Sequence, residues 1–461
     1  MEENLSLLSS KRNQIKFMQW DITKRCNLRC KHCRSTDYYE GDKGEKIKDL
    51  TTEEVFNTLK ELANNGVNRI HFLGGEPFMR EDMLDIVKYA SKLGIVCSIN
   101  TNGTLITKEV IEKLFDSNVY LLTFSLDGAS PETNDRIRGN GVFDLVCKNI
   151  KEVDRIRKER KQYLRIISSP VITKVNRYEA KALCYLAKDL GLDSIIITNL
   201  RKKGRAKENI EDLGLTVPEE VDVAEEIAEV ISTGLKQHIQ LGIGTPLLTE
   251  YLNKKYSINL PIIPGGCNAL MMKGFIQPDG ALFPCQEVTD FFYLNNERKN
   301  IIRTRILEHG FENIWNSKDY LNLFEKMFNI DMIKNNIPCN QCKYIYTYCY
   351  PCPLPILRGN GPIHHPTCIE TLKRANRDNI NLTDKDSFDV NLSTIVHKAV
   401  SDGNFRIKLF TDPEGTLKQS RLSLLAEEDL KLNKLIDGIE QDIDSELKNL
   451  IKGRCFNNGA L

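Results

Sequence analysis

The chain has almost no net charge and no long apolar run. Its 461 residues carry a formal net charge of +1, which gives no reason to expect nucleic acid as a partner. No apolar run approaches the roughly 20 residues that span a membrane. Met1–Gln14 has neither the apolar core nor the cleavage site of a secretory signal. The sequence therefore predicts a cytoplasmic protein that binds neither a membrane nor nucleic acid.

Cysteine, in contrast, is abundant, with 14 residues. In a reducing compartment this number indicates metal binding rather than disulfides. Ten of them form two groups along the chain: Cys26, Cys30 and Cys33, then Cys267, Cys285, Cys339, Cys342, Cys349, Cys352 and Cys368. Cys97, Cys147 and Cys184 lie in apolar, periodic segments, which predicts small buried hydrophobes there.

The first group has the spacing CX3CX2C and no fourth thiol nearby. Thiolates select zinc or iron–sulfur clusters, and a structural zinc site wants four ligands. Three thiolates on a four-iron cluster would leave one iron open to a small molecule. The spacing alone leaves zinc as an alternative.

The segment from Lys16 to about Leu200 alternates strands with helices. Such alternation implies a parallel sheet with right-handed crossovers. The predicted strands are Lys16–Thr23, Arg69–Leu73, Ile95–Asn100, Tyr120–Leu126, Leu164–Thr173 and Ser194–Asn199. Six strands predict an α/β fold, a partial (β/α)6 TIM-like barrel, whose chemistry gathers at the carboxyl ends of the strands.

Distinct motifs follow the predicted strands at those ends. Gly74-Gly75-Glu76-Pro77 follows the second strand, and its glycines allow close backbone approach to a ligand. Asn102 follows the third strand, while Ser125 and Asp127 follow the fourth. Short polar side chains there could bond a ribose, although Asn-Gly and Asp-Gly are also ordinary turn dipeptides. Arg138 comes next, as a ligand candidate or as a member of a surface ion pair.

Together these motifs resemble the radical S-adenosylmethionine (SAM) family. The resemblance implies that Cys26, Cys30 and Cys33 hold a 4Fe–4S cluster whose open iron chelates SAM, which is cleaved to a 5′-deoxyadenosyl radical. It also implies that each strand-end motif contacts a different part of SAM. The SAM amino group would be bound by Gly74, Gly75, Glu76 and Pro77. The ribose would be bound by Asn102, Ser125 and Asp127, and the SAM carboxylate by Arg138. His32 departs from the family, which often has an aromatic residue before the third cysteine.

The second cysteine group surrounds a predicted hairpin with a Pro-Asp-Gly turn. Seven thiols within about 100 residues indicate metal. The group resembles the SPASM extension of radical SAM enzymes, although CX2CX6CX2C replaces the usual CX2CX5CX3C. The resemblance implies two auxiliary 4Fe–4S clusters, and so three in all: a distal one on Cys339, Cys342, Cys349 and Cys368, and a nearer one on Cys267, Cys285 and Cys352. Two zinc sites are the alternative.

The chain is predicted to divide into four parts. These are the radical SAM partial barrel (1–215), a helical linker (216–260), a SPASM auxiliary-cluster domain (261–376) and a C-terminal helical appendage (377–461). The appendage has apolar residues near helical spacing.

The resemblance implies an enzyme that abstracts hydrogen from a peptide substrate and so modifies a ribosomal precursor. An external electron donor of the flavodoxin or ferredoxin class would reduce it. A separate leader-binding protein, or the appendage, would bind the peptide leader. The alternatives are an anaerobic sulfatase-maturating enzyme, a tetrapyrrole side-chain modifier and, as a non-enzyme, a multi-cluster electron carrier. The sequence names no catalytic acid or base.

Overall fold

The computed structural model describes most of the chain up to residue 382. The described residues are 17–35, 47–235, 238–242, 245–262, 265–267, 269–270, 273–289, 304–327, 339, 342, 344, 349–350, 352 and 366–382. All ten predicted metal ligands are among them. The predicted C-terminal appendage lies outside the described residues from 383 onward. No helix in the described ranges has the length and apolar character that crossing a membrane requires.

A curved, largely parallel sheet organises the described chain. Its strands are β1 Phe17–Asp21, β2 Arg69–Leu73, β3 Val96–Thr101, β4 Leu121–Phe124, β5 Arg165–Ser168, β6 Val171–Ile172, β7 Ser194–Asn199, β8 His238–Leu241, β10 Lys273–Ile276, β11 Ala281–Phe283 and β12 Thr304–Arg305. The order is β12-β11-β10-β1-β2-β3-β4-β5-β7-β6, and β8 also pairs with β7. The neighbouring strands β10, β1, β2, β3, β4, β5, β7 and β8 all pair in parallel in that order. This arrangement confirms the predicted α/β partial barrel.

Helices cover the outside of this sheet. They are α1 Thr52–Asn64, α2 Met83–Lys92, α3 Lys108–Asp116, α4 Pro131–Arg138, α5 Val142–Arg160, α6 Ala180–Asp189, α7 Arg205–Glu208, α8 Ile210–Leu213, α9 Val217–Ser232, α10 Pro246–Tyr256, α11 Ile306–His309, α12 Phe311–Trp315, α13 Lys318–Met327 and α14 Pro366–Arg377. The start of α1 follows from a capping box, in which Thr51 and Glu54 each bond the other's backbone N–H. Trp20, Phe72 and Phe124 are fully buried in the core.

Two strands differ from the sequence prediction. Leu164–Thr173 was predicted as one strand, but Pro170 separates β5 from β6, because proline cannot donate a ladder hydrogen bond. The predicted helical linker contains β8, which pairs in parallel with β7 and so extends the sheet. The four-residue strand was missed because its apolar content is low beside the strong helical periodicity of α9.

The predicted hairpin is confirmed by the antiparallel pairing of β10 with β11. Its turn closes through a 2.9 Å bond from Gly280 N to Gln277 O, with Gly280 at φ +80°. β10 also pairs in parallel with β1, from Phe17 opposite Lys273 to Trp20 opposite Ile276. The cysteine-rich region therefore continues the barrel sheet. A short parallel pair, β9 Gly265–Gly266 with β13 Cys349–Tyr350, lies beside it.

Candidate active site

A cavity of about 1030 Å³ occupies the barrel interior and the carboxyl ends of its strands. Cys26, Cys30 and Cys33 line it, together with Gly74 and the residues that follow β3 and β4. The structure thus brings most of the residues predicted to hold the first cluster and SAM into one space. We call residues 22–35, which follow β1 and carry these cysteines, the thiol loop.

The thiol loop is held by its backbone. Lys31 N donates to Ile137 O of α4 at 2.9 Å. Arg205 Nε of α7 donates to Cys30 O at 3.0 Å. Two helices that follow different strands therefore fix the loop, so its conformation depends on the assembled barrel.

The glycines after β2 allow a close approach, but to the thiol loop itself. Gly75 N donates to Thr23 O, and Glu76 N donates to Arg25 O, each at 2.8 Å. A Cβ atom at Gly74 would lie 2.4 Å from Thr23 O, and one at Gly75 would lie 2.1 Å from Arg25 O. Because these contacts involve backbone atoms, neither position tolerates a side chain without moving the loop.

Glu76 is buried at the end of β2 and faces the cavity. Its carboxylate accepts hydrogen bonds from Thr101 Oγ1 at 2.7 Å, Asn102 N at 2.6 Å and Phe78 N at 3.2 Å. Burial raises the pKa of Glu76 to about 7, although these hydrogen bonds and Arg138 oppose the rise. An arriving ammonium group would favour its ionised form.

Asp127 takes a different place from the one predicted. It is fully buried after β4 and is not among the described residues that line the cavity. Its Oδ2 lies 2.9 Å from His32 Nε2 and 2.6 Å from Arg138 Nε, while Oδ1 accepts from Val171 N at 2.8 Å. Burial opposes its ionisation, but the charges of Arg138 and His32 outweigh burial and hold the pKa of Asp127 well below its usual range. This position favours an anchoring role over the predicted ribose contact.

The other strand-end candidates divide between the cavity and the core. Asn102 and Ser125 both line the cavity. Asn102 Nδ2 donates to Asn27 Oδ1 of the thiol loop at 2.8 Å. Arg138 also reaches the cavity, despite its ion pair with Asp127. Pro77 is buried and begins a short 3-10 turn, so it shapes the loop rather than facing the cavity.

The donor set of the thiol loop fits an iron–sulfur cluster. Burial raises the pKa of the Cys30 thiol to about 11; Arg138 lowers it, whereas Cys33 and Cys26 raise it further. The three sulfurs are thus close enough to repel one another as thiolates. Nowhere in the described ranges do three Cys, His, Asp or Glu side chains converge as they would on a single metal ion. Thiolates are the soft ligands that iron–sulfur clusters take, so Cys26, Cys30 and Cys33 would hold such a cluster here.

The seven later cysteines fall into two spatial groups. Burial raises the pKa of Cys267 to about 12, and the nearby Cys285 and Cys352 raise it as well. Burial likewise raises the pKa of Cys349 to about 12, with further contributions from Cys368, Cys342 and Cys339. These neighbours match the two ligand sets that the resemblance implies. No disulfide bond joins any of the described cysteines.

The sequence reasoning missed the polar interior of the barrel. Alternate strand residues point into the cavity, and they include Gln19, His71, Ser98 and Thr123. His71 Nδ1 lies 2.7 Å from Ser98 Oγ, and burial lowers the pKa of His71 to about 4, helped by Lys273 and Arg34. Interiors of closed barrels are normally packed with branched apolar side chains. A period-two pattern of polar residues along β1 to β4 was the available signal.

Comparison with known proteins agrees with this geometry. The profile of the radical SAM superfamily matches residues 20–176, and that of the SPASM iron–sulfur cluster-binding domain matches residues 267–343. Cys349, Cys352 and Cys368 lie beyond the second match.

Curated relatives cover most of the described chain. An AdoMet-dependent heme synthase from Methanosarcina barkeri is 28% identical over 72% of this chain and 89% of its own length. The mycofactocin maturase MftC of Mycolicibacterium smegmatis is 27% identical over 65% of this chain and 69% of its own.

Solved structures share the fold. Streptococcus suis SuiB bound to its precursor peptide SuiA aligns with a TM-score of 0.59 at 17% identity, covering 80% of this chain and 79% of SuiB. The two domain matches and the thiol-lined cavity lead to one conclusion. The chain is an enzyme that contains a radical SAM superfamily domain and a SPASM iron–sulfur cluster-binding domain.

Proposed function

We propose that this enzyme modifies a peptide by removing hydrogen from one of its residues, and that it holds three 4Fe–4S clusters. The observation that carries the proposal is a continuous cavity that joins the thiol loop to the barrel interior and to Gln286 of the cysteine-rich region. A substrate in this cavity would contact both the SAM end and the auxiliary end of the site.

The bound cluster and SAM would supply a 5′-deoxyadenosyl radical that abstracts a hydrogen atom from the substrate. Cys26, Cys30 and Cys33 would hold the cluster, and Glu76 would receive the SAM ammonium group. Asn102 and Ser125 line the cavity within the same strand-end region and would position the ribose. The protein's own contribution would be to position the radical against the substrate and to exclude competing reactions.

Relatives support a peptide as the substrate. Besides MftC, they include a PqqA peptide cyclase from Bradyrhizobium diazoefficiens, 26% identical over 70% of this chain and 77% of its own length. Oxidation of a peptide by loss of hydrogen also releases electrons, and the auxiliary clusters would accept them. An external flavodoxin or ferredoxin would reduce the first cluster, and a separate protein or the C-terminal appendage would bind the leader.

A tetrapyrrole is the second candidate substrate, and the charges of the cavity favour it. In the described residues, nine Lys or Arg side chains line the cavity, against two carboxylates, Asp21 and Glu76. Such a lining suits a substrate that carries carboxylates. The heme synthase relatives point the same way.

The test begins with anaerobic reconstitution, iron analysis, reduction with dithionite and assay of 5′-deoxyadenosine from SAM. We expect about twelve irons per chain, as three clusters of four require. SAM cleavage should be lost in Cys30→Ala and kept in the control Cys147→Ala. Bound zinc without 5′-deoxyadenosine would overturn the proposal.

The substrate is then decided by mass spectrometry. The enzyme is incubated with candidate precursor peptides, taken from any short reading frames beside its gene, and separately with iron coproporphyrin III. We expect loss of hydrogen mass from the peptide. A mass change in the porphyrin alone would replace the peptide proposal with the tetrapyrrole one.

A further inference from the structure

Four buried side chains form a continuous path that ends on a thiol of the loop. His32 Nε2 lies 2.9 Å from Asp127 Oδ2, and the same oxygen lies 2.6 Å from Arg138 Nε. Arg138 Nη1 in turn approaches Cys30 Sγ at 3.9 Å, within the reach of an N–H···S hydrogen bond. The side chains of His32, Asp127 and Arg138 are only 8%, 0% and 7% exposed.

Asp127 is the fixed point of this path. Its Oδ1 accepts from Val171 N at 2.8 Å, and its backbone oxygen accepts from Asn176 Nδ2 at 2.6 Å. Arg138 is the last residue of α4, next to Ile137, whose carbonyl accepts from Lys31 N of the thiol loop. Backbone and side chain therefore tie the end of α4 to the loop at adjacent positions.

The charge of Arg138 acts directly on Cys30. Both side chains are buried, and Arg138 Nη1 lies 3.9 Å from Cys30 Sγ, so little solvent screens the charge from the sulfur. A guanidinium cannot lose its proton in proteins. A fixed positive charge and an N–H donor at a cluster sulfur stabilise the reduced, more negative cluster, because hydrogen bonds to sulfur tune iron–sulfur potentials.

We propose that Asp127 is a positioning residue that holds Arg138 against the Cys30 sulfur, and that Arg138 thereby raises the reduction potential of the cluster bound by that sulfur. His32 completes the arrangement as the second cationic or hydrogen-bonding partner of Asp127. An apolar aromatic residue such as phenylalanine, at the position before the third cysteine, could not form this contact with Asp127. The proposal goes beyond the proposed function, since it involves no substrate.

The decisive measurement is a reductive titration of the reconstituted full chain without SAM, followed by electron paramagnetic resonance (EPR). The signal of the SAM-binding cluster is recognised by its change when SAM is added afterwards. Arg138→Gln should shift its midpoint to a more negative potential. The charge-matched control is Arg155→Gln, which removes an arginine on the surface of α5 and should leave the midpoint unchanged.

This design separates two roles of Arg138. A residue that only binds the SAM carboxylate would change SAM affinity and leave the SAM-free potential alone. Arg138→Gln with wild-type iron content and a wild-type midpoint would therefore overturn the proposal. Failure to find a peptide substrate would not affect it.

A second measurement covers the case in which Arg138→Gln does not load iron. Protein labelled with ¹⁵N-arginine should show a nitrogen coupling to the reduced SAM-binding cluster in pulsed EPR. In Asp127→Asn, which retains Arg138, this coupling should decrease because the guanidinium is no longer held at the sulfur. An unchanged coupling in Asp127→Asn would show that Asp127 does not position Arg138.

Discussion

Some residues of this site are ionisable although they are buried, and burial disfavours their charged form. Glu76 is the clearest case, because burial raises its pKa to about 7 while three hydrogen bonds favour its ionised form. With a pKa near neutrality, the Glu76 carboxyl group is neutral or charged according to the charge of the group that binds beside it. Its titration is therefore a direct probe of the site.

Glu76→Gln should remove a pH dependence of stability from the cluster-free protein. Between pH 4.5 and about 7, Glu76 remains protonated in the folded state but ionises when unfolded. Raising the pH through this window therefore lowers wild-type stability, by about 3 kcal/mol at 1.36 kcal/mol per pKa unit. Denaturant unfolding at a series of pH values measures the difference between the two proteins. Parallel curves across the window would contradict the pKa assigned to Glu76.

Gly75→Ala should disrupt the thiol loop. The added Cβ would lie 2.1 Å from Arg25 O, a backbone atom next to Cys26, so the loop must move. We expect the loss of about four irons, one cluster, and of SAM cleavage. Gly94→Ala is the control: its Cβ meets nothing within 4 Å, and it should keep its iron despite the strain of φ +78°. Full iron content in Gly75→Ala would show that the loop adapts.

Whole elements position the auxiliary thiols. Helix α14 carries Cys368 and packs against α9 and α10. Arg374 of α14 is buried and reaches α9 twice, with Nη1 2.8 Å from Asp222 Oδ1 and 3.3 Å from Glu225 Oε1. Its Nη2 also donates to Pro218 O at 2.9 Å. One side chain therefore links the cysteine-bearing helix to the barrel side.

Arg374→Met should destabilise the protein by about 1–2 kcal/mol, because it removes the hydrogen bond to Pro218 O and the ion pairs with Glu225 and the partly exposed Asp222. Displacement of α14 should also reduce the iron bound by the Cys368 group. The neighbouring exposed Lys373 provides the control, and Lys373→Met should change neither property. Chemical denaturation and iron analysis give the two readouts. Unchanged stability in Arg374→Met would mean that α14 is held by its apolar contacts alone.

The sequence predicted individual strands, helices and turns better than it predicted which of them pair with one another. The hairpin around Pro278, Asp279 and Gly280 is read from turn chemistry, which is local. The pairing of β10 with β1 joins residues more than 250 positions apart, and no local pattern specifies it. The same holds at the residue level. Asp127 was recognisable as a strand-end carboxylate, but its contact with His32 depends on how the thiol loop folds back.

For the whole molecule, the shared sheet predicts one cooperative unit. The barrel sheet continues into the hairpin region where β1 pairs with β10. The chain has two tryptophans, one on each side of this pairing: Trp20 in β1 and Trp315 in α12. Gly274 of β10 lies where β1 meets α12, since a Cβ there would touch both Met18 and Trp315. The barrel and the hairpin region should therefore unfold together.

Two single-tryptophan variants test this. In Trp315→Phe the fluorescence reports on the barrel, and in Trp20→Phe it reports on the region after the hairpin. In each variant, fluorescence and far-ultraviolet circular dichroism should give the same denaturant midpoint, as expected for two-state unfolding. An earlier fluorescence midpoint in the Trp20→Phe variant would indicate two separately folding units.

The polar lining of the barrel interior has a consequence for how this scaffold can change over evolutionary time. Gln19, Ser98 and Thr123 line the cavity, whereas the apolar side chains that hold the sheet face the surrounding helices. Replacing a cavity-facing residue removes little buried apolar contact, so such changes fall in the class that costs little stability. Substrate choice can therefore drift by single substitutions inside the barrel while the fold remains intact. Proteins of one architecture can in this way diversify towards chemically unlike substrates.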